Sequence, residues 1–144
     1  MSFAYFDSSV IVKRYVMEQG SMEAISLLSR HDFLSSAISP VEVLSALKRR
    51  NRSGDVTDDE FSLLITRIRN ERARWELVAI TETVLSWAEK IVQGPVPMRA
   101  LDAIHIASSL AFQVSASVQV PFVTSDSRQD EAARQLGLNV VLIR

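Results

Sequence analysis

Five short apolar runs, each separated from the next by helical periodicity, leave this chain few folds to choose from. Residues 3–6 (FAYF), 76–80 (ELVAI) and 139–143 (NVVLI) are the clearest of them, with weaker ones at 33–37 and 121–124. Runs of this length, rich in Val, Ile and aromatic residues and bounded by polar residues, read as strands. Between them Phe61, Leu64, Ile65 and Ile68 recur at i, i+3, i+4 and i+7, the signature of an amphipathic helix. Residues 22–29, 40–50, 83–92, 100–113 and 128–136 also carry helical patterns. Strands covered on both faces are continuously apolar, and parallel strands need long crossovers that are usually helices. The pattern therefore predicts an α/β three-layer sandwich, with a central, mostly parallel sheet of about five strands flanked by helices. No repeat, low-complexity tract or linker interrupts it, and the Gly94-Pro95-Val96-Pro97 loop is too short to divide domains. One domain over residues 1–144 is expected.

Composition narrows the chemistry. Hydrophobic residues make up 47% and charged residues 23%, enough apolar material for a core and typical of a soluble protein. The absence of cysteine excludes a disulfide framework, a thiolate metal site and a thiol nucleophile, and fits a reducing cytoplasm. The chain enters a strand-like run at once, without a basic leader or small-residue cleavage site, so secretion is not expected. Its longest apolar neighbourhood, residues 100–114, contains Asp102 and His105 and is too short and polar to span a bilayer. A cytoplasmic protein without membrane association is the expectation. Net charge is −1, yet eight of the sixteen basic residues fall within 48–74, among them Lys48, Arg49, Arg50 and Arg52. Solvated helix faces are the plainer explanation. The sharper one is a surface that meets phosphate or an acidic protein.

Four carboxylates carry the functional signal. In open α/β sheets ligands gather beyond the carboxyl ends of the strands, and Asp7 stands just past the first run. Asp7 also suits the N-cap of a helix starting near Ser8. Glu42 has an innocent explanation too, since Ser39-Pro40-Val41-Glu42 spells a capping box with proline at the first helical position. Asp126, followed three residues later by Gln129, also reads as a cap. Asp102 is different, because it interrupts the most apolar helical stretch of the chain. Arg99, Asp102, His105 and Ser109 trace a single polar stripe along that helix, which suggests the edge of a cleft. An Arg99–Asp102 salt bridge is the competing explanation, and His105 by itself reads as a hydrogen-bonded packing residue.

Three acids at strand ends and one on a buried helix can converge on one sheet edge. Like charges so close cannot all ionise without a counter-charge, and a hard divalent cation such as Mg²⁺ or Mn²⁺ suits an all-oxygen pocket. Such an ion activates water and stabilises charge on a phosphoryl group. No Ser-His-Asp pattern, Gly-rich phosphate loop or His-rich zinc spacing competes.

The segments YFDSSVIVKRYV, SAISPVEVLSALKR, RALDAIHIASSLA and FVTSDSRQDEAARQLGL resemble, in order and spacing, the four acidic motifs of PIN-domain ribonucleases. Within that family they are most similar to the VapC-like toxins of prokaryotic toxin–antitoxin pairs, and the resemblance spans essentially the whole chain. It implies that Asp7, Glu42, Asp102 and Asp126 hold one or two Mg²⁺ or Mn²⁺ ions. Ser9, Thr124 and Ser125 would then support these carboxylates from behind, and Asp130, one turn beyond Asp126, is a further candidate for its role by position. The implied activity is metal-dependent endoribonuclease cleavage of single-stranded or looped RNA, leaving a 5′-phosphate and a 3′-hydroxyl. A homodimer and a cognate antitoxin lying in the cleft are implied as well, with Lys48, Arg49, Arg50 and Arg52 as contacts to RNA or antitoxin. Three alternatives remain. A receiver domain would need a phosphoacceptor Asp where Thr81 stands and a late-strand Lys that is missing. A haloacid-dehalogenase-type phosphatase would need an Asp where Ser9 stands. The third is a catalytically silent PIN-like module that only binds RNA or protein.

Overall fold

The computed structural model describes residues Met1 to Arg144. Five strands, β1 (Phe3–Phe6), β2 (Asp32–Ser36), β3 (Glu76–Val78), β4 (Phe122–Thr124) and β5 (Val140–Leu142), form one sheet. Their order is β3-β2-β1-β4-β5, and every neighbouring pair is parallel. Seven helices connect and cover them: α1 (Ser8–Tyr15), α2 (Ser21–Arg30), α3 (Ser39–Arg52), α4 (Asp58–Glu71), α5 (Glu82–Val92), α6 (Ala100–Ala116) and α7 (Ser127–Gln135). The expected three-layer sandwich is therefore the fold, with a sheet that is wholly parallel.

Side-chain alternation along β1 sorts the layers. Ala4 and Phe6 enter a core shared with residues of α1 to α4, whereas Tyr5 points to the opposite face, among residues of α6 and α7. On that second side Ala103 and Ala107 of α6 are small enough for α5 to approach closely through Val84 and Ala88. No helix is long and apolar enough to cross a membrane.

Element edges differ from the sequence pattern for local reasons. The run at 76–80 yields a strand only to Val78, because the Thr81 amide turns back to the Ala79 carbonyl. The Thr81 hydroxyl then caps α5 by accepting from the Val84 amide. Asn139 and Ile143 likewise fall outside β5, although the Ile143 amide still donates to the Thr124 carbonyl at 2.8 Å.

The topology creates the site. From β1 the chain builds outward through β2 to β3, then returns across the sheet to place β4 on the other side of β1. The strand order thus reverses between β1 and β4, the point at which parallel sheets open a crevice at their carboxyl edge. Asp7 follows β1 there, and Ser125 and Asp126 follow β4.

Candidate active site

Asp7 is 4% exposed. It caps α1 through Oδ1, which accepts from the Val10 amide at 3.3 Å and from the Ser9 hydroxyl at 2.7 Å. Oδ2 lies 3.2 Å from the Thr124 hydroxyl. That hydroxyl has one proton to share between Asp7 and the Gln129 carbonyl oxygen, 2.7 Å away. No arginine or lysine forms an ion pair with Asp7. Burial pushes its carboxyl up to about 6, and the field of His105 and the hydrogen bonds from Ser9, Val10 and Thr124 only partly oppose this.

Asp126 also caps a helix, accepting from the Arg128 and Gln129 amides at 2.8 and 3.1 Å. Capping and a place at the carboxyl edge of the sheet are compatible, because both helices begin there. The Gln129 side chain does not return to the cap. It is fully buried, and its amide nitrogen donates to the Asp102 carbonyl at 3.2 Å, joining α7 to α6. Asp130 turns to Arg134 at 2.6 Å.

The capping box expected at Ser39 does not form. The N-cap of α3 is Ile38, without a side-chain cap, and the Ser39 hydroxyl instead lies 2.5 Å from that of Ser35. Glu42 is consequently free of the local role that its spacing suggested. Its Oε1 lies 2.6 Å from Nε2 of His105, whose Nδ1 lies 2.8 Å from the Tyr5 hydroxyl. Asp102, in the first turn of α6, is partly buried and makes no ion pair with Arg99, so the salt-bridge alternative also fails. Its carboxyl is raised by burial first and by the neighbouring Asp126 second, with Glu42 adding to the rise and His105 and Arg99 opposing it. Asp102 is thus close enough to Asp126 and Glu42 to be repelled by both.

An open cleft of about 570 Å³ lies at this edge, lined by Ser9 of α1, Glu42 and Arg49 of α3, and Arg99 and Asp102 at the start of α6; of the four acids only Glu42 and Asp102 line it. A second groove of about 420 Å³ shares Ser9, Val12, Ala46 and Arg49 with it and runs on past Lys13 and Arg50. The basic stretch divides here. Arg49 is exposed on the rim, and Arg52 is exposed at the end of α3. Arg50 instead pairs with Glu18, and Lys48 donates to Asn51 and sits over the Phe61 ring at 5.0 Å. Ser9 and Thr124 touch Asp7 as described. The Ser125 hydroxyl is buried without a partner, and its amide reaches Ser9 Oγ at 3.4 Å.

The donor set suits a hard divalent cation: four carboxylates at one sheet edge, two of them with raised affinity for protons and none neutralised by an arginine or lysine within the cleft. As they stand, no three of the chain's acids and histidines are gathered closely enough to form a finished cage. Asp126 is occupied with helix amides and Glu42 with His105. The residues fit the ion in charge and in donor type. Tyr5 is the participant that spacing did not reveal, although it lies two residues before Asp7 on one strand face; spacing marked His105 and Gln129, but only as a hydrogen-bonded packing residue and as part of a cap.

A parallel five-stranded sandwich with a carboxylate cleft at the strand-order reversal defines a PIN-like α/β protein. No family model matches the chain. Ribonuclease VapC46 of Mycobacterium tuberculosis is 32% identical over 143 residues, which cover 98% of each chain. Among solved structures, FitAcB from Neisseria gonorrhoeae superposes with a TM-score of 0.70 at 17% identity, covering 96% of both chains. A toxin–antitoxin complex from Klebsiella pneumoniae superposes with a TM-score of 0.69 at 15% identity over 98% of both. The chain belongs to the VapC ribonuclease family.

Proposed function

We propose that this chain is the endoribonuclease toxin of a toxin–antitoxin pair, hydrolysing RNA phosphodiester bonds at the cleft of Asp7, Glu42, Asp102 and Asp126 with Mg²⁺ or Mn²⁺. The observation that carries the proposal is that Asp7, Glu42, Asp102 and Asp126 stand toward one edge of the sheet, where burial raises Asp7, and burial with the charges of Asp126 and Glu42 raises Asp102. The ribonuclease name of a relative aligned over nearly the whole chain supports it. A divalent cation, when bound, lowers the pKa of a water molecule and offsets charge on the phosphate.

The chain's own groups do the rest. The four carboxylates hold the ion, and the Ser9 and Thr124 hydroxyls orient Asp7. Arg49 and Arg99, both lining the cleft, supply positive charge where a polyanion must approach an acidic pocket. The cleft is open, which suits a single strand or loop whose bases are free of pairing. A cognate antitoxin covering the cleft, a homodimer and a cytoplasmic location belong to the same proposal, and the toxin–antitoxin complexes among the structural neighbours support the antitoxin.

End-labelled RNA incubated with the chain in Mg²⁺ or Mn²⁺, with an EDTA control, tests the activity. Cleavage that needs the metal, leaves 5′-phosphate ends and is abolished by Asp102→Asn is expected. RNA left intact in both metals, or cut equally in EDTA, would overturn it.

A further inference from the structure

We propose that His105 is a positioning residue for the acidic cleft: seated by Tyr5, its imidazole holds the Glu42 carboxylate in place for the cation without touching cation or RNA itself. The proposal rests on the reading of Glu42 as a cation ligand.

The ring is 1% exposed and both of its nitrogens are engaged, Nδ1 with Tyr5 at 2.8 Å and Nε2 with Glu42 at 2.6 Å. An ionised carboxylate only accepts, so the proton on this side sits on Nε2. Whenever the ring is neutral, Nδ1 accepts and Tyr5 is the donor. The hydroxyl thereby selects the tautomer that can serve Glu42.

Nothing else holds Glu42. Its capping box is absent, and it has no arginine or lysine partner. Without His105 a flexible side chain would swing at the mouth of the cleft, and its rotamer freedom would have to be given up on binding the ion. The ring also joins the elements that carry the other acids. Tyr5 stands two residues before Asp7, and His105 lies on the helix of Asp102. Tyr5 stacks on Phe122, 5.3 Å between centroids, in the strand that leads to Asp126. One imidazole therefore registers α3 against β1, β4 and α6. Hydrogen bonds that orient a metal's carboxylate ligands are worth roughly 10–100-fold in metal affinity.

Two substitutions separate this role from packing, because Gln places an amide near the position of Nε2 and Asn near that of Nδ1. Mn²⁺ affinity is measured by calorimetry on the metal-free full chain at one pH, with folding checked by melting in EDTA. His105→Asn is expected to weaken Mn²⁺ binding about 10-fold or more. His105→Gln should restore it to within roughly threefold, because the donor to Glu42 returns. In a Glu42→Gln background His105→Asn should cause no further loss, since its effect runs through the missing carboxylate. If His105→Asn does not fold, Tyr5→Phe carries the test, with a loss of affinity expected in the wild type and none beside Glu42→Gln. Wild-type affinity in a folded His105→Asn protein, while Glu42→Gln is weakened, would overturn the proposal alone. So would an equal loss in both backgrounds, which marks a structural role. Wild-type affinity in Glu42→Gln itself would overturn the ligand reading and the proposal with it.

Discussion

The metal-free protein should be more stable without its first aspartate than with it. Asp7→Asn is nearly isosteric. The amide oxygen can still accept from Ser9 and the Val10 amide, and its nitrogen can donate to the Thr124 hydroxyl that faces Oδ2. What disappears is a buried charge. The Asp7 carboxyl is raised from 3.8 to about 6, and at about 1.4 kcal/mol per unit the ionised form costs the fold about 3 kcal/mol. The folded pKa is the higher one, so the favourable contribution is complete below pH 3.8 and is lost as pH rises through about 6. In EDTA at pH 8, Asp7→Asn should therefore exceed the wild type by up to about 3 kcal/mol, or roughly 6–12 °C in melting temperature for a domain near this size. At pH 4 the two should nearly coincide. Mn²⁺ at a thousandfold excess over Kd should reverse the order, because preferential binding to the folded state then adds about 4.1 kcal/mol and only the wild type has the full site. Thermal melts across pH 4–8, with EDTA and with Mn²⁺, make the comparison. An Asp7→Asn protein no more stable than wild type at pH 8, or a difference that ignores pH, would refute the reasoning.

Two further perturbations test the surroundings of the cleft. Arg49→Gln should weaken RNA binding and flatten its salt dependence by about 0.7 in log–log slope for one phosphate contact on a single strand, whereas Arg50→Gln, already paired with Glu18, should change it far less; equal effects in filter binding over a range of salt would contradict the division. Glu71 is opposed by partial burial but held down to about 2 by Arg14, Tyr15 and Arg67, so its contribution is present above pH 4.5 and lost on acidification toward 2. Glu71→Gln should therefore flatten the acid limb of the stability profile, as urea unfolding at pH 3 and pH 6 would show; an unchanged limb would contradict it.

The sheet was legible because parallel strands buried on both faces are continuous apolar runs, as in FAYF and NVVLI. Their edges were less so, since whether Ala79 to Thr81 extends a strand or makes a turn depends on local capping. Asp102 stood out because a carboxylate inside so apolar a helix needs a reason. Glu42 shows where spacing misleads. Ser39 and Glu42 satisfy the capping-box pattern, but their side chains find Ser35 and His105 instead, the latter 63 residues away. Periodicity carries no information on partners at that range. The same limit hid the Tyr5–His105 bond, which spans 100 residues, and the pairing of Arg50 with Glu18, 32 residues off. Charge density marked the basic stretch, yet only the partners met in the fold, Glu18 for Arg50 and Asn51 and Phe61 for Lys48, separate Arg49 from its neighbours.

The most direct test of the acidic cleft is the anomalous scattering of Mn²⁺ in crystals of the full chain. A peak within bonding distance of Asp7 and Asp102, at the carboxyl edge between β1 and β4 and lost in Asp102→Asn crystals, is the expected result. A fully occupied Mn²⁺ elsewhere with the cleft left empty, or a peak in the cleft indifferent to Asp102→Asn, would contradict the assignment of these carboxylates as the metal site.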